Sequence, residues 1–373
     1  MNHKDVKFPN EASSEFVKTL KSRVRDYFKE NNISRYGNSE MVLKSIAMIS
    51  MFFVPYFIMV LGVVTSPWAI TAMWLAMGVG MAGIGLSIMH DANHGAYSKN
   101  KTVNNLMGWM LDVVGGNASN WKIQHNVLHH TYTNVSGVDE DISPPKFMRF
   151  SPHEPLMKVH KYQHFYAWFF YGLMTFGWIV AKDYKQLIRY RKKGFIKGDN
   201  KSFNMILLKV TIAKILYYTY IIAIPILVLP SPWWMTLINF FLMHFVAGLI
   251  LGMIFQPAHV MPSSEYPLPD EKGNLENYWA IHQLLTTTNF APKNKIFSWY
   301  VGGLNYQVEH HLFPNICHVH YRKISGIVEQ TAKEYGFPYH SVPTFSGALY
   351  QHGKMLKLLG NNELKHLKGL QLH

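Results

Sequence analysis

Four apolar segments constrain this chain more than any other feature, because each is long enough to cross a bilayer as a helix. A spanning helix needs about 20 mainly apolar residues, and the segments cover residues 42–64, 68–89, 205–229 and 233–255. Short uncharged turns at 65–67 and 230–232 join them in pairs. The sequence therefore predicts an all-α integral membrane protein with four transmembrane helices in two hairpins.

The basic residues predict the orientation of these helices. Lys and Arg crowd the stretch before the first segment and the stretch just before the third. Cytoplasmic loops carry an excess of Lys and Arg, so we expect both termini and the central loop to face the cytoplasm. The formal charge of +14 suits anionic lipid headgroups. Because the charges flank the spans and form no single recognition face, we expect no nucleic-acid partner.

The chain is interpreted as one unit with three parts. Residues 1–41 form a polar, amphipathic cytoplasmic leader without the apolar core of a signal peptide, residues 42–321 hold the spans and the motifs described below, and residues 322–373 form a cytoplasmic tail. A fifth apolar stretch at 165–180 is short and bracketed by histidines and lysines. We predict that it is an interfacial or re-entrant helix.

Two features exclude other site chemistries. The single cysteine, Cys317, excludes a disulfide framework and any cysteine-rich zinc or iron–sulfur site. Residues 78–83 match the dinucleotide string GxGxxG, but they lie within an apolar segment and follow no strand. Small residues at this spacing indicate close helix packing.

Histidine is abundant, with 20 residues, and eight of them cluster where the apolar segments end. His90 and His94 are spaced i and i+4, which places both imidazoles on one helix face. The full set is His90, His94, His125, His129, His130, His259, His310 and His311. Under the predicted topology, these histidines lie on the cytoplasmic side.

This set of imidazoles predicts a metal centre. Imidazole suits iron, copper and zinc, but one zinc needs only about four ligands, so eight imidazoles fit two metals better. Iron is favoured because two irons can together activate dioxygen and take hydrogen from an unactivated methylene. No spaced Glu-x-x-His pair lies within the spans, which argues against a carboxylate-rich di-iron bundle.

The order of motifs HDANH, HNVLHHTYTN and QVEHHLFP, with two spans before the first and two between the second and third, resembles the membrane fatty acid desaturase superfamily. The resemblance covers about residues 42–321. A third box that opens with Gln307 looks like the front-end type. The resemblance implies O₂-dependent insertion of a cis double bond into an acyl-CoA or acyl-lipid chain, delta-5 or delta-6 like, at a histidine-ligated di-iron site in a cytoplasmic helical cap.

By position, the resemblance makes the eight histidines iron ligands and implies no catalytic or cofactor-binding residue apart from them. Gln307 stands where other members place a histidine, so it ligates weakly, acts through water or orients a neighbour. Asp91, Asp139 and Asp141 accept hydrogen bonds from ligand imidazoles, or else form a solvated turn or a helix cap; Glu140 lies in the same acidic turn. His318 and His320 are interpreted as structural.

The resemblance also implies two Fe²⁺ ions, O₂ as co-substrate and the lipid bilayer as surroundings. A His-Pro-Gly-Gly haem motif is missing, so we expect electrons from a separate haem protein or ferredoxin with its reductase. A bacterial inner membrane is favoured over the endoplasmic reticulum. The alternatives are a di-iron membrane hydroxylase or mono-oxygenase of a lipid and, more distantly, a histidine-rich metal transporter, although His244 is the one histidine well inside a span.

Overall fold

The computed structural model describes residues 5–11 and 14–363 and is mostly helical there. The chain forms two compact units. Unit 1 comprises Met1–Asn38, Lys122–Ala167 and Met253–His373, and unit 2 comprises Ser39–Trp121 and Trp168–Gly252. Residues 1–4, 12, 13 and 364–373 of the predicted leader and tail lie outside the described residues.

Within the described part of the chain, four helices are long and apolar enough to cross a membrane. They are Ser39–Val60, Pro67–Asn93, Asn200–Val228 and Trp233–His259, here called spans 1 to 4. Pro67 begins span 2 at a position where its missing N–H costs nothing, and Asp199 caps span 3 by accepting from Ser202 N at 2.8 Å. The prediction of four helices long and apolar enough to span a membrane is confirmed, and their arrangement as two hairpins stays a prediction.

Spans 2 and 3 are each interrupted by one π-helical turn, at Ile84–Ile88 and Thr219–Ala223. Such turns insert an extra residue and shift the direction of every side chain that follows, and they are frequent at functional sites. In span 2, the turn is followed directly by the short helix Met89–Asn93, which carries His90.

The small residues of span 2 allow close helix packing, as their spacing predicts. A Cβ at Gly78 would lie 2.6 Å from Met243 O of span 4, and a Cβ at Gly80 would lie 2.7 Å from Phe52 N of span 1. Neither backbone atom can move aside easily. The string GxGxxG is therefore a packing motif here.

The apolar stretch at 165–180 is not one of the four spans. It is broken into the helices Gln163–Gly172 and Met174–Gly177, a π-helical turn at Trp178–Lys182, and the basic helix Asp183–Lys192. Its predicted place at the membrane interface stays a prediction.

The other helices are shorter. Unit 2 also contains Lys101–Gly108, Met110–Val113 and Ala118–Trp121. Unit 1 contains Glu15–Glu30, the π-helix Lys122–His129, the 3-10 helices Lys158–Tyr162 and His318–His320, and the α-helices Trp279–Thr286, Lys295–Tyr300, Gln307–Leu312, Tyr321–Glu334 and Phe345–Asn361.

Unit 1 also departs slightly from the all-α prediction. Asn289–Phe290 pairs in parallel with Ser341–Val342. The strands are too short to show a strand pattern in the sequence. An apolar core of unit 1 forms where Phe16 and Leu20 of Glu15–Glu30 pack with Ile324 and Val328 of Tyr321–Glu334. The third histidine box lies beside this core.

Candidate metal centre

Two histidines of the second box, His125 and His129, lie on the π-helix Lys122–His129, and a carboxylate holds each of their imidazoles. His129 Nδ1 donates to Asp139 Oδ2 at 2.9 Å, and His125 Nδ1 donates to Asp141 Oδ2 at 2.8 Å. With Nδ1 protonated against a carboxylate, the Nε2 lone pair of each ring is left for a metal. The Nε2 atom of His129 is buried and makes no hydrogen bond.

The acidic turn that carries these carboxylates is itself ordered by the backbone. Asp139 is buried and accepts from Asn134 N at 3.0 Å and from Asp141 N at 2.9 Å. Burial alone would lower the pKa of His129, but the Asp139 carboxylate outweighs burial and raises that pKa. The turn is therefore not a solvated loop.

The third box lies on the short helix Gln307–Leu312, and neutral groups orient its imidazoles. His310 Nδ1 lies 3.2 Å from Tyr321 Oη, and His311 Nδ1 donates to Gln283 Oε1 at 2.9 Å. Thr133 Oγ1 donates to the same Gln283 oxygen at 2.8 Å. The sequence analysis missed Gln283 and Tyr321, because no motif marks a single amide or hydroxyl as an imidazole partner.

His259 is the last residue of span 4 and joins the same cluster. Its Nδ1 lies 3.4 Å from Thr286 O. Its ring centroid lies 4.6 Å from that of His129 and 4.8 Å from that of His311. The sequence predicts His259 as a ligand beyond the three boxes, and its position beside His129 and His311 fits that prediction.

These side chains form two imidazole triads that share His311. His129, His259 and His311 make one triad, and His130, His310 and His311 make the other, with the ligand atoms of each triad within 4.8 Å of one another. A further group in the described residues joins His125 and His129 to Asp141. Three close nitrogen donors fit a first-row transition metal. In the triad of His129, His259 and His311, the Nδ1 atom of each ring also has a hydrogen-bond partner.

The first box lies in unit 2 and forms a pair of its own there. The ring centroids of His90 and His94 are 4.9 Å apart, and the Trp121 ring lies 5.5 Å from one and 5.6 Å from the other. Asp91 Oδ1 is 3.8 Å from His90 Nδ1, which is longer than a hydrogen bond. The pair has the i and i+4 geometry predicted from its spacing.

Gln307 lies beside the triad of His129, His259 and His311. Its Nε2 donates to Leu304 O at 2.7 Å, which leaves Oε1 as the buried acceptor of the amide. The side chain lies close enough to His259 to act on its imidazole. In this position, Gln307 can ligate a metal weakly through Oε1, act through a water molecule or orient His259.

Several histidines outside the boxes bind backbone carbonyls. His320 Nε2 donates to Tyr36 O at 3.1 Å, His282 Nε2 to Thr133 O at 2.8 Å, and His352 Nδ1 to Val260 O at 2.9 Å. Burial lowers the pKa of His282 and of His352 to about 4. The imidazoles of His282 and His352 therefore stay neutral near pH 7. All three histidines link segments of unit 1, in keeping with the structural interpretation of His320.

Comparison with known proteins agrees with this geometry. The fatty acid desaturase family model matches residues 66–343. The chain is 36% identical over 357 residues to an sn-1 linoleoyl-lipid 6-desaturase of Arthrospira platensis, covering 95% of each chain. It is 33% identical over 350 residues to an enzyme of the same name from Synechocystis sp., covering 92% of this chain and 95% of that one.

A third relative is an acyl-lipid (8-3)-desaturase of Physcomitrium patens, 36% identical over 372 residues that cover 96% of this chain and 75% of the relative. The matches span both the apolar segments and all three histidine boxes. The chain therefore belongs to the fatty acid desaturase family, as an oxidoreductase of the front-end type that its third histidine box indicates.

Proposed function

We propose that this enzyme inserts a cis double bond into an acyl chain of a membrane glycerolipid, between an existing double bond and the carboxyl end. The observation that carries the proposal is the pair of imidazole triads sharing His311, in a chain whose relatives are named acyl-lipid desaturases. A glycerolipid substrate is favoured over acyl-CoA because these names specify lipid-bound chains.

The eight box and span-end histidines are the proposed ligands of two iron ions. Imidazole donors are compatible with iron, and membership of the desaturase family favours iron over the other metals that imidazole binds. A bound iron pair supplies the activation of dioxygen, which no amino-acid side chain can provide. Gln307 contributes its Oε1 as a weak ligand or through a water molecule.

The protein's own residues orient the ligands and exclude water. Asp139 and Asp141 keep the Nδ1 protons of His129 and His125 in place, and Gln283 does the same for His311. His129, His259 and His311 are all 0% exposed. A dry, rigid ligand set protects a reactive oxidant from water and holds its geometry through the reaction.

We also propose in which membrane the reaction takes place, on which side of it the histidine boxes lie, and which proteins supply the electrons. The charge pattern supports a multi-pass protein with its histidine boxes on the cytoplasmic side, and the two cyanobacterial relatives support a bacterial inner membrane. Electrons come from a separate haem protein or ferredoxin with its reductase. No hydrogen bond from His90 Nδ1 to Asp91 is proposed, because the Asp91 carboxylate lies 3.8 Å away.

The test is lipid profiling in a host that lacks desaturases and is fed a polyunsaturated acid. Intact glycerolipids are analysed by mass spectrometry with double-bond localisation, for the unmodified chain, His310→Ala and the control His320→Ala. We expect a new unsaturated chain with the unmodified protein and the control, appearing first in glycerolipid. Its first appearance in acyl-CoA would contradict the lipid substrate, and a hydroxylated product would contradict desaturation.

A further inference from the structure

A cavity of about 540 Å³ lies within unit 2, beside spans 1 and 3 and the short helix Met110–Val113. Its lining is aromatic and aliphatic apart from one carboxyl group. The lining residues are Phe53, Trp109, Asp112, Val113, Ala213, Leu216, Tyr217 and Tyr220. The volume falls within the range of roughly 300–1,000 Å³ that is usual for small-ligand sites.

Hydrogen bonds fix the walls of this cavity. Tyr220 Oη donates to Val113 O at 2.5 Å, and Tyr56 Oη of span 1 donates to Tyr220 O at 2.8 Å. Tyr217 Oη lies 2.6 Å from His244 Nε2. The three walls are therefore tied together, and the cavity is not a gap between loosely packed helices.

The open side of the cavity is apolar. Leu216 is 63% exposed and Trp109 is 60% exposed. Leu216 lies on span 3, so in the proposed membrane setting its exposed side chain faces lipid chains and not water. The surrounding lipid therefore supplies acyl chains that can occupy the cavity.

Both oxygens of the one carboxyl group in the lining, that of Asp112, accept hydrogen bonds from the protein. Asp112 Oδ1 accepts from Asn117 Nδ2, and Asp112 Oδ2 accepts from Ala118 N, both at 3.2 Å. Both oxygens are therefore engaged by the protein, and the rest of the lining is aromatic and aliphatic. A hydrocarbon chain matches its chemistry better than a polar ligand does.

The same bonds connect the cavity wall to the first histidine box. Asp112 holds the beginning of Ala118–Trp121, and the Trp121 ring packs against both His90 and His94. Lys214 of span 3 donates to Gly115 O at 2.5 Å and fixes the intervening segment. One short, fixed stretch of chain therefore separates the cavity from two proposed iron ligands.

Resting on the proposed function, we propose that this cavity binds the second, non-reacting acyl chain of the glycerolipid substrate. A glycerolipid carries two acyl chains on one glycerol, so when one chain reacts the other must lie nearby in apolar surroundings. An acyl-CoA has only one chain. The cavity would therefore select two-chain lipids over single-chain substrates.

Two variants on span 3 separate the cavity from the helix surface. Ala213→Trp places an indole in the cavity. Ile215→Trp is the matched control, because Ile215 is 58% exposed on the same helix and is not part of the lining. Neither residue belongs to the proposed ligand set.

The experiment compares two synthetic lipids with the same reacting chain, a diacyl lipid and the corresponding lysolipid, using the iron-loaded enzyme and its electron donor. We expect Ala213→Trp to lower kcat/KM for the diacyl lipid by about tenfold or more, while the value for the lysolipid changes less than about twofold. Ile215→Trp should match the unmodified enzyme on both lipids. Equal loss on both lipids, or no loss on either, would overturn the proposal.

A second measurement does not depend on turnover. A diacyl lipid with a photoactivatable group in its non-reacting chain should label peptides at 109–113 and 213–220 in the unmodified protein and in Ile215→Trp, and should lose this labelling in Ala213→Trp. Labelling elsewhere, or unchanged labelling in Ala213→Trp, overturns the cavity assignment. Failure of the unmodified enzyme to convert either lipid overturns the proposed function instead.

Discussion

Two buried polar clusters, one in each unit, differ in whether the protein alone completes their hydrogen bonds. In the histidine cluster of unit 1, Asp139 accepts from Nδ1 of His129, and the Nε2 atom of His129 is buried without a hydrogen bond. In unit 2, Lys214 bonds both Asp183 and a backbone carbonyl. The polar network of unit 1 is built to receive a further group, whereas the ion pair of unit 2 is complete within the protein.

Removal of the imidazole that belongs to both triads should have the largest effect. His311 Nδ1 is held by Gln283, so its Nε2 is the atom left to ligate one of the two proposed metals. We therefore expect His311→Ala to abolish activity and to lower bound iron to about half of the normal content. Metal analysis of the purified protein measures this. The control, His320→Ala, removes a structural histidine of the same unit and should retain the iron. Equal iron loss in both variants would mean that folding, and not ligation, is affected.

Breaking the ion pair of unit 2 should destabilise the fold without a direct effect on metal. Lys214→Met leaves the Asp183 carboxylate buried without its partner at 2.5 Å, and removal of one partner from a buried pair costs about 3–5 kcal/mol. The measurement is equilibrium unfolding in mixed micelles.

The double variant Lys214→Met/Asp183→Leu tests the same idea in reverse. It removes both charges, so it should recover most of the lost free energy of unfolding. A double variant as unstable as Lys214→Met would show that shape, and not charge, is what the pair provides.

Asp112 should make the stability of unit 2 depend on pH. Burial raises the pKa of its carboxyl from 3.8 to about 6, a shift that the nearby Asp183 increases and that Lys214, Ala118 N and Asn117 oppose. A carboxyl with a raised folded-state pKa favours folding while it is protonated. Stability is therefore lost as pH rises from 3.8 to about 6, by up to about 3 kcal/mol, because each pKa unit is 1.36 kcal/mol.

Asp112→Asn isolates this contribution from other titrating groups. The difference in free energy of unfolding between Asp112→Asn and the unmodified protein should grow in favour of the variant across that pH interval and stay constant above it. A difference that does not vary with pH would show that the carboxyl is solvated in the folded protein.

The same contrast explains what the sequence could predict. Each span is a local apolar run, so its position follows from composition to within a few residues. The histidine pair within each box is also a local pattern, because its spacing places both side chains on one helix. Asp139 and Asp141 were predicted because an acidic turn close after a box is itself a pattern, whereas Gln283 meets His311 only through the tertiary fold. The π-helical turns likewise leave no mark in the sequence, because the extra residue is accommodated by packing.

The smallest expected effect concerns one of those predicted carboxylates. Asp139→Asn preserves the size of the side chain and one oxygen, but it replaces a charged acceptor of the His129 Nδ1 proton by a neutral amide. A partner of this kind is typically worth about 10- to 100-fold in metal affinity, which competition with a chelator can measure. Asp270→Asn, in an exposed turn of the same unit, is the control. Asp141→Asn should cost less than Asp139→Asn, because the Asp141 side chain is 13% exposed and that of Asp139 is 0% exposed, so water can replace part of its role. The reverse order would indicate that His125, and not His129, depends more on its carboxylate to hold the ligand ring.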